Sequence, residues 1–248
     1  MNKLKQFDAL INEISMCDKC LNITKKNNID CSLVNIFKDN DFCRNIPSIW
    51  TDWYNRLDSN IFIIGQDWDP VNDMKKYYLK YKKLINDNKK EASIIWKDII
   101  EEEKSMTKKM LYKYLIESAS INNKIIDSNY INKIYITNAI MCGRKGNNYR
   151  DTKNFKVKEC TINCSSFLKR QIEIVRPKVI LTLGYYPLFA LSKIYNFNIE
   201  KTLSNTIEKQ SVIKINNIII IPLYHPSAQI NCNKQIEQYK RIWEYIDL

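Results

Sequence analysis

The sequence predicts an α/β protein, a three-layer α/β/α arrangement around a central, mainly parallel four-stranded sheet. Two observations predict it. Short apolar runs rich in β-branched residues recur along the chain, a composition suited to strands buried on both faces. Stretches with helical apolar spacing lie between them, and alternating strands and helices connect into a parallel sheet covered on both sides.

The elements follow in order. Leu4, Phe7, Leu10, Ile11 and Ile14 predict a helix over 4–16 that runs into Cys17-Asp18-Lys19-Cys20. Residues 21–60 read as irregular, with Trp50, Trp53 and Tyr54 as packing residues. Ile61-Phe62-Ile63-Ile64 is the first core strand, broken at Gly65 and followed by Gln66, Asp67, Trp68, Asp69 and Pro70. A helical insertion is expected over about 71–130 of a single domain, 1–248, with Tyr77, Tyr78 and Tyr81 on its first apolar stripe. Ile131 to Thr137 predicts the second strand, ending at Asn138. A basic loop with Arg144, Lys145 and Arg150 precedes a helix from Cys164 to Arg176, stopped by Pro177. Lys178 to Leu183 is the third strand, ended by Gly184, and a short helix runs from Pro187 to about Tyr195. Val212–Ile215 and Ile218–Ile221 predict a hairpin whose second arm is the fourth core strand. That arm leads to Tyr224-His225-Pro226-Ser227, and a helix over 234–246 closes the chain.

Composition narrows the function. A formal charge of +12, from 39 Lys and Arg against 27 Asp and Glu, favours a polyanionic partner, nucleic acid before an anionic membrane. No apolar run is long enough to span a bilayer, and the start has no apolar leader segment, so a cytoplasmic protein is expected. There, eight cysteines are expected as thiols rather than disulfides. Cys17 and Cys20 form one chelate pair, and Cys142, Cys160 and Cys164 form a second group. Such thiols can hold zinc or an iron–sulfur cluster, and the open second group favours the cluster. Cys31, Cys43 and Cys232 read as buried thiols.

A parallel sheet gathers its strand ends on one side, where ligands bind. Asp67 and Asp69, Asn138, Gly184 and His225, the chain's one histidine, all fall there. A carboxylate, an amide and an imidazole in one cleft can orient a heterocycle and stabilise developing charge. A metal-dependent nuclease would want more clustered carboxylates than Asp67 and Asp69 supply. A non-catalytic nucleic-acid-binding module would account for the charge and the thiols, but not for three chemical groups at three strand ends.

Gly65-Gln66-Asp67, Tyr135-Ile136-Thr137-Asn138 with Met141-Cys142, the stretch from Cys164 to Gly184, and His225-Pro226-Ser227 together resemble the uracil-DNA glycosylase superfamily. The resemblance covers most of the chain and is nearest to the iron–sulfur branch. It implies a DNA-binding glycosylase acting in base excision, with a [4Fe-4S] cluster on Cys17, Cys20, Cys142 and Cys164, Cys160 being the alternative fourth ligand. By that resemblance Asp67, backed by Asp69, holds or polarises water, and His225 donates to the base. Gly65, Gln66, Trp68, Asn138 and Tyr77 line the base pocket. Arg144, Lys145, Arg150, Pro226 and Ser227 contact DNA, and the protein acts as a monomer. The branch usually has Gly-Glu-Ala-Pro-Gly in its first motif, where this chain has Gly65-Gln66-Asp67-Trp68-Asp69-Pro70. The departure widens the expected substrate from uracil to a modified pyrimidine, including one in modified viral DNA, which leaves DNA repair and antiviral defence both open as the setting.

Overall fold

A computed structural model describes residues 2–20, 33–35, 53–68, 105–144 and 156–247. Asp69, Tyr77, Lys145, Arg150, Cys31, Cys43 and the first part of the expected helical insertion lie outside the described residues.

The strands in chain order are β1 (Leu33–Val34), β2 (Ile61–Gly65), β3 (Tyr135–Asn138), β4 (Gly143–Arg144), β5 (Val179–Leu183), β6 (Ile213–Ile215) and β7 (Ile218–Leu223). The principal sheet has the order β3-β2-β5-β7-β6. The first four of these are mutually parallel, and β6 joins β7 antiparallel as an edge. The sheet therefore has five strands rather than four, because the first arm of the expected hairpin also pairs. Asn216 closes that hairpin at φ 52°, a left-handed conformation that Asn tolerates well. A separate two-stranded pair, β1 with β4, matches Leu33 to Arg144.

Helices cover both faces. They are α1 (Lys3–Met16), α2 (Met106–Ile121), α3 (Ser128–Ile131), α4 (Val157–Val175), α5 (Tyr185–Tyr195), α6 (Leu203–Lys209) and α7 (Cys232–Lys240). Every residue of β2, β3 and β5 is buried, as a sheet covered on both sides requires. Side chains alternate between the two cores. Phe62, Ile64, Tyr135 and Ile180 face α1, α4 and α5, whereas Ile61, Ile63, Ile136 and Leu181 face α2 and α7. Each large apolar side chain fully buried in this way contributes about 1.5–3 kcal/mol.

Several elements differ from expectation. The Cys164 helix begins earlier, at Val157, so Cys160 and Cys164 lie one turn apart on it. It ends on Arg176 at φ 58°, since Pro177 denies it a further turn. The second strand starts at Tyr135, because Asp127 caps a short helix that takes up Ile131. Trp53 packs as expected. Its ring stacks on Tyr135, and its indole N–H donates to the Ile136 carbonyl at 2.8 Å. Arg56 donates to the Ile134 carbonyl at 3.2 Å, so two side chains cover acceptors along the outer edge of β3. No helix among the described residues is long and apolar enough to cross a membrane.

Candidate active site

The parallel register brings four strand ends together on one edge of the sheet. Gly65 pairs with Asn138, Ile64 with Thr182, and Leu183 with Leu223. Asp67, Tyr185 and His225 follow the exits of the neighbouring strands β2, β5 and β7, and Tyr185 opens α5 directly after Gly184. The Gly184 N–H donates to the Leu223 carbonyl at 2.8 Å, which ties the β5 exit to the β7 exit. On the other side, the Ala139 and Ile140 N–H groups donate to the Gly65 and Gln66 carbonyls at 2.8 and 3.0 Å. The loop after Gly65 is thus held as an extension of the sheet.

Asp67 is almost fully buried, and all its described hydrogen bonds converge on Oδ2. Arg144 Nε donates there at 2.7 Å, its terminal nitrogen makes a second, ion-paired contact, and Gln66 Nε2 donates at 3.3 Å. Oδ1 accepts none of these. Burial pushes the Asp67 carboxyl above its ordinary range, while the Arg144 guanidinium and the Gln66 amide pull against that rise.

Arg144 does not take the position expected of a phosphate contact. Its side chain is only 5% exposed, because a cation able to neutralise a buried carboxylate is drawn inward to it. Nothing in the sequence pairs residues 67 and 144. The short β1–β4 ladder sets Arg144 in place, and two-residue strands leave no periodic signal. Trp68, expected in the base pocket, is also buried, where its ring meets Trp53 edge-on at 6.1 Å. As a core side chain it is withdrawn from any base. Pro226 is buried too, whereas Ser227 is exposed.

His225 is half-buried. The Ser227 backbone N–H donates to its Nδ1 at 3.3 Å, and the Ser227 hydroxyl lies 2.8 Å from the same nitrogen. Nδ1 is therefore the accepting nitrogen, and that network assigns the ring proton to Nε2. Burial lowers the imidazole pKa, so the ring is neutral near pH 7 and presents an N–H donor. Asn138 is 3% exposed, and its amide makes no hydrogen bond among the described residues.

The thiols gather on the α1–α4 side. Cys20 lies close enough to Cys160 and Cys164 for the thiols to shift one another's ionisation, and Cys142 acts on Cys160 and Cys164 electrostatically. The contacts from Cys160 and Cys164 draw the Cys20 thiol down, while the same contacts, with burial, push Cys160 and Cys164 up. Two further donors reach the sulfurs. Asn163 Nδ2 lies 3.4 Å from Cys20 Sγ, and the Met141 N–H lies 3.5 Å from Cys164 Sγ. Cys17 instead lines a depression of about 460 Å³ with Phe167 and Arg170. Asn35, unmarked by any sequence motif, donates to the carbonyls of Ile14 and Cys17 at 2.8 and 2.7 Å and so anchors the start of the Cys-x-x-Cys turn.

Among the described residues, no group of three or more His, Cys, Asp or Glu side chains is placed to hold a metal ion. A four-iron cluster takes one thiolate per iron, so its ligands stand wider apart than those of a single ion. The all-sulfur donor set and the N–H groups aimed at its sulfurs fit such a cluster chemically.

The model of the Uracil DNA glycosylase superfamily matches residues 51–247. A Type-4 uracil-DNA glycosylase of Sulfurisphaera tokodaii is 35% identical over 120 residues, 45% of this chain and 50% of that protein. One of Archaeoglobus fulgidus is 34% identical over 112 residues, 43% of this chain and 51% of that protein. One of Saccharolobus solfataricus is 34% identical over 99 residues, 39% of this chain and 43% of that protein. The chain thus spans about half the length of the curated relatives it matches. Because the family match runs from before β2 through α7, the chain belongs to the uracil-DNA glycosylase superfamily.

Proposed function

We propose that the protein is a DNA glycosylase. It hydrolyses the N-glycosidic bond of a flipped-out uracil or modified pyrimidine and leaves an abasic site. The single observation that carries this reading is that Asp67, Asn138 and His225 follow the exits of β2, β3 and β7, on one edge of the parallel sheet, in a superfamily member.

As the C1′–N1 bond breaks, positive charge grows on the sugar and negative charge on the base. Asp67 serves the sugar. Arg144 and Gln66 fix Oδ2, which leaves Oδ1 to accept a hydrogen bond from the attacking water. The carboxylate also favours the cationic sugar electrostatically. The water oxygen bonds to C1′, the bond's electron pair leaves with the base, and the water's proton goes to solvent or to the departing base. His225 serves the base. Its Nε2–H donates to the pyrimidine oxygen that gains charge, and Ser227 keeps that tautomer. Asn138 offers both donor and acceptor to the base edge, with Gly65 and Gln66 lining the floor. Asp69, Tyr77, Lys145, Arg150, Pro226 and Ser227 remain proposed contacts around this pocket.

His225→Ala is expected to lower kcat about 10²–10³-fold, the usual cost of one such donor, while DNA affinity changes little. Single-turnover kinetics on uracil-containing DNA check it.

Cys17, Cys20, Cys142 and Cys164 are the proposed ligands of a [4Fe-4S] cluster, with Cys160, beside Cys20, as the alternative fourth ligand. When bound, the cluster ties the α1 exit, the β3 exit and α4 together as a structural staple. Cys20→Ser is expected to lose iron and acid-labile sulfide and the broad visible absorbance of the anaerobically purified protein, with a lower Tm. Full iron content in that variant contradicts the ligand set.

The reaction class is tested by its product. Uracil-containing single- and double-stranded DNA should acquire alkali-labile abasic sites with free base in solution. Metal-dependent strand cutting without base release would contradict the reading and favour a nuclease.

A further inference from the structure

A base of a bound single strand is held on an exposed aromatic face. Trp68 is buried against Trp53 and cannot supply it. Another aromatic pair follows the β5 exit. Gly184 leaves β5 at φ 105°, a turn that favours glycine, and Tyr185 and Tyr186 head α5 at once. The β5 exit that carries Tyr185 lies between the β2 exit, which leads to Asp67, and the β7 exit, which leads to His225. Both tyrosines are half-exposed, and neither hydroxyl has a hydrogen-bond partner among the described residues. Tyr135 and Tyr224 differ, since their hydroxyls bond Gln171 and Ser204 at 2.9 and 3.0 Å.

The pair is also built as a platform. The Tyr185 ring lies nearly parallel to Phe189, 15° apart with centroids at 6.4 Å, and Tyr186 meets Tyr185 edge-on at 5.7 Å. Lys158 and Lys193, both exposed, each hold an ammonium 5.4 Å from the Phe189 ring centroid. Lys158 sits on the first turn of α4, two residues before Cys160. An aromatic and basic strip therefore runs from the cysteine-bearing helix to the strand ends.

We propose that Tyr185 and Tyr186 receive an unpaired base of the bound DNA strand beside the flipped nucleotide, with Lys158 and Lys193 meeting the flanking phosphates. The proposal rests on the DNA glycosylase reading for its ligand. Aromatic faces accept any base, and lysines beside them follow the backbone, which is how single strands are held without sequence preference.

The test measures affinity by fluorescence anisotropy for single-stranded and duplex oligonucleotides that carry a stable abasic analogue. The Tyr185→Ala/Tyr186→Ala double variant is expected to bind about tenfold or more weakly, with Tyr185→Phe/Tyr186→Phe close to wild type. Binding by the alanine variant within about twofold of wild type overturns the proposal. Should the alanine variant fail to fold, the wild-type protein decides. Irradiation with 5-iododeoxycytidine next to the abasic analogue should cross-link Tyr185 or Tyr186, as read by peptide mass spectrometry. Cross-links confined to other segments overturn the proposal. Base release by the wild-type protein is a separate readout, so failure of the glycosylase reading is distinguishable from failure of the strip.

Discussion

Asp67→Asn is expected to abolish base release while DNA binding survives. Asn cannot carry the negative charge that stabilises a cationic sugar, and it is a poor acceptor for a water proton. Loss of a group in that role typically costs about 10²–10⁴-fold in kcat. The substitution keeps volume and hydrogen-bonding shape, so the Gln66 and Arg144 contacts have a neutral partner in place. What it removes is the charge opposite a buried guanidinium, so some loss of stability accompanies the loss of rate. Single-turnover release of base and anisotropy on the same oligonucleotide separate chemistry from binding. Release at the wild-type rate would remove Asp67 from the reaction.

Arg144→Gln is expected to act on rate and stability together, and to move the pH profile. Breaking a buried ion pair from one side costs about 3–5 kcal/mol, because the remaining charge stays desolvated. In a chain of this length that is a Tm lower by about 6–20 °C. Burial raises the Asp67 pKa, and the Arg144 guanidinium opposes that rise. Without the guanidinium the carboxyl is pushed up further. The ionised carboxylate is the active form, so activity is lost as pH falls through this pKa. The acid limb of kcat/KM therefore lies above the ordinary carboxylate range in the wild type, and it moves to still higher pH in Arg144→Gln. An unchanged acid limb would show that Arg144 does not set the ionisation of Asp67. Arg144→Lys keeps the charge and should retain most of the wild-type profile, though with a single point contact in place of the fork.

The strands, their parallel order and their chemical ends were legible because buried strands write themselves as apolar runs. Ile61–Ile64 and Val179–Leu183 needed only that rule. Asp67, Asn138 and His225 followed from the geometry of a parallel sheet. What the sequence did not disclose depends on contacts between remote segments. The Asp67–Arg144 pair is fixed by a two-residue ladder, so a basic residue in a basic loop read as a phosphate contact. Trp68 looked available because it follows a strand end, yet Trp53 draws it into the core. The start of α4 was set too late because Lys156-Val157-Lys158-Glu159 carries little apolar signal of its own. That earlier start aligns Cys160 with Cys164 on one helix and sets both near Cys20, with Cys17 half-buried against the same core. Tyr185 and Tyr186 carry no motif at all, and only the order of three neighbouring strands gives them meaning.

The most direct test of the central claim is the identity of the base set free. Anaerobically purified wild-type and Asp67→Asn proteins are incubated with single- and double-stranded DNA that carries uracil, thymine mispairs, hypoxanthine, or hydroxymethylated or glucosylated cytosine. Released base is identified by mass spectrometry, and abasic sites by alkaline cleavage. The account predicts that the wild type releases uracil or one of the modified pyrimidines and leaves an equal number of abasic sites, and that Asp67→Asn binds the same DNA without releasing it. Tight DNA binding by the iron-loaded wild type with no base released from any pyrimidine substrate would contradict it, and would leave a DNA-binding module in its place.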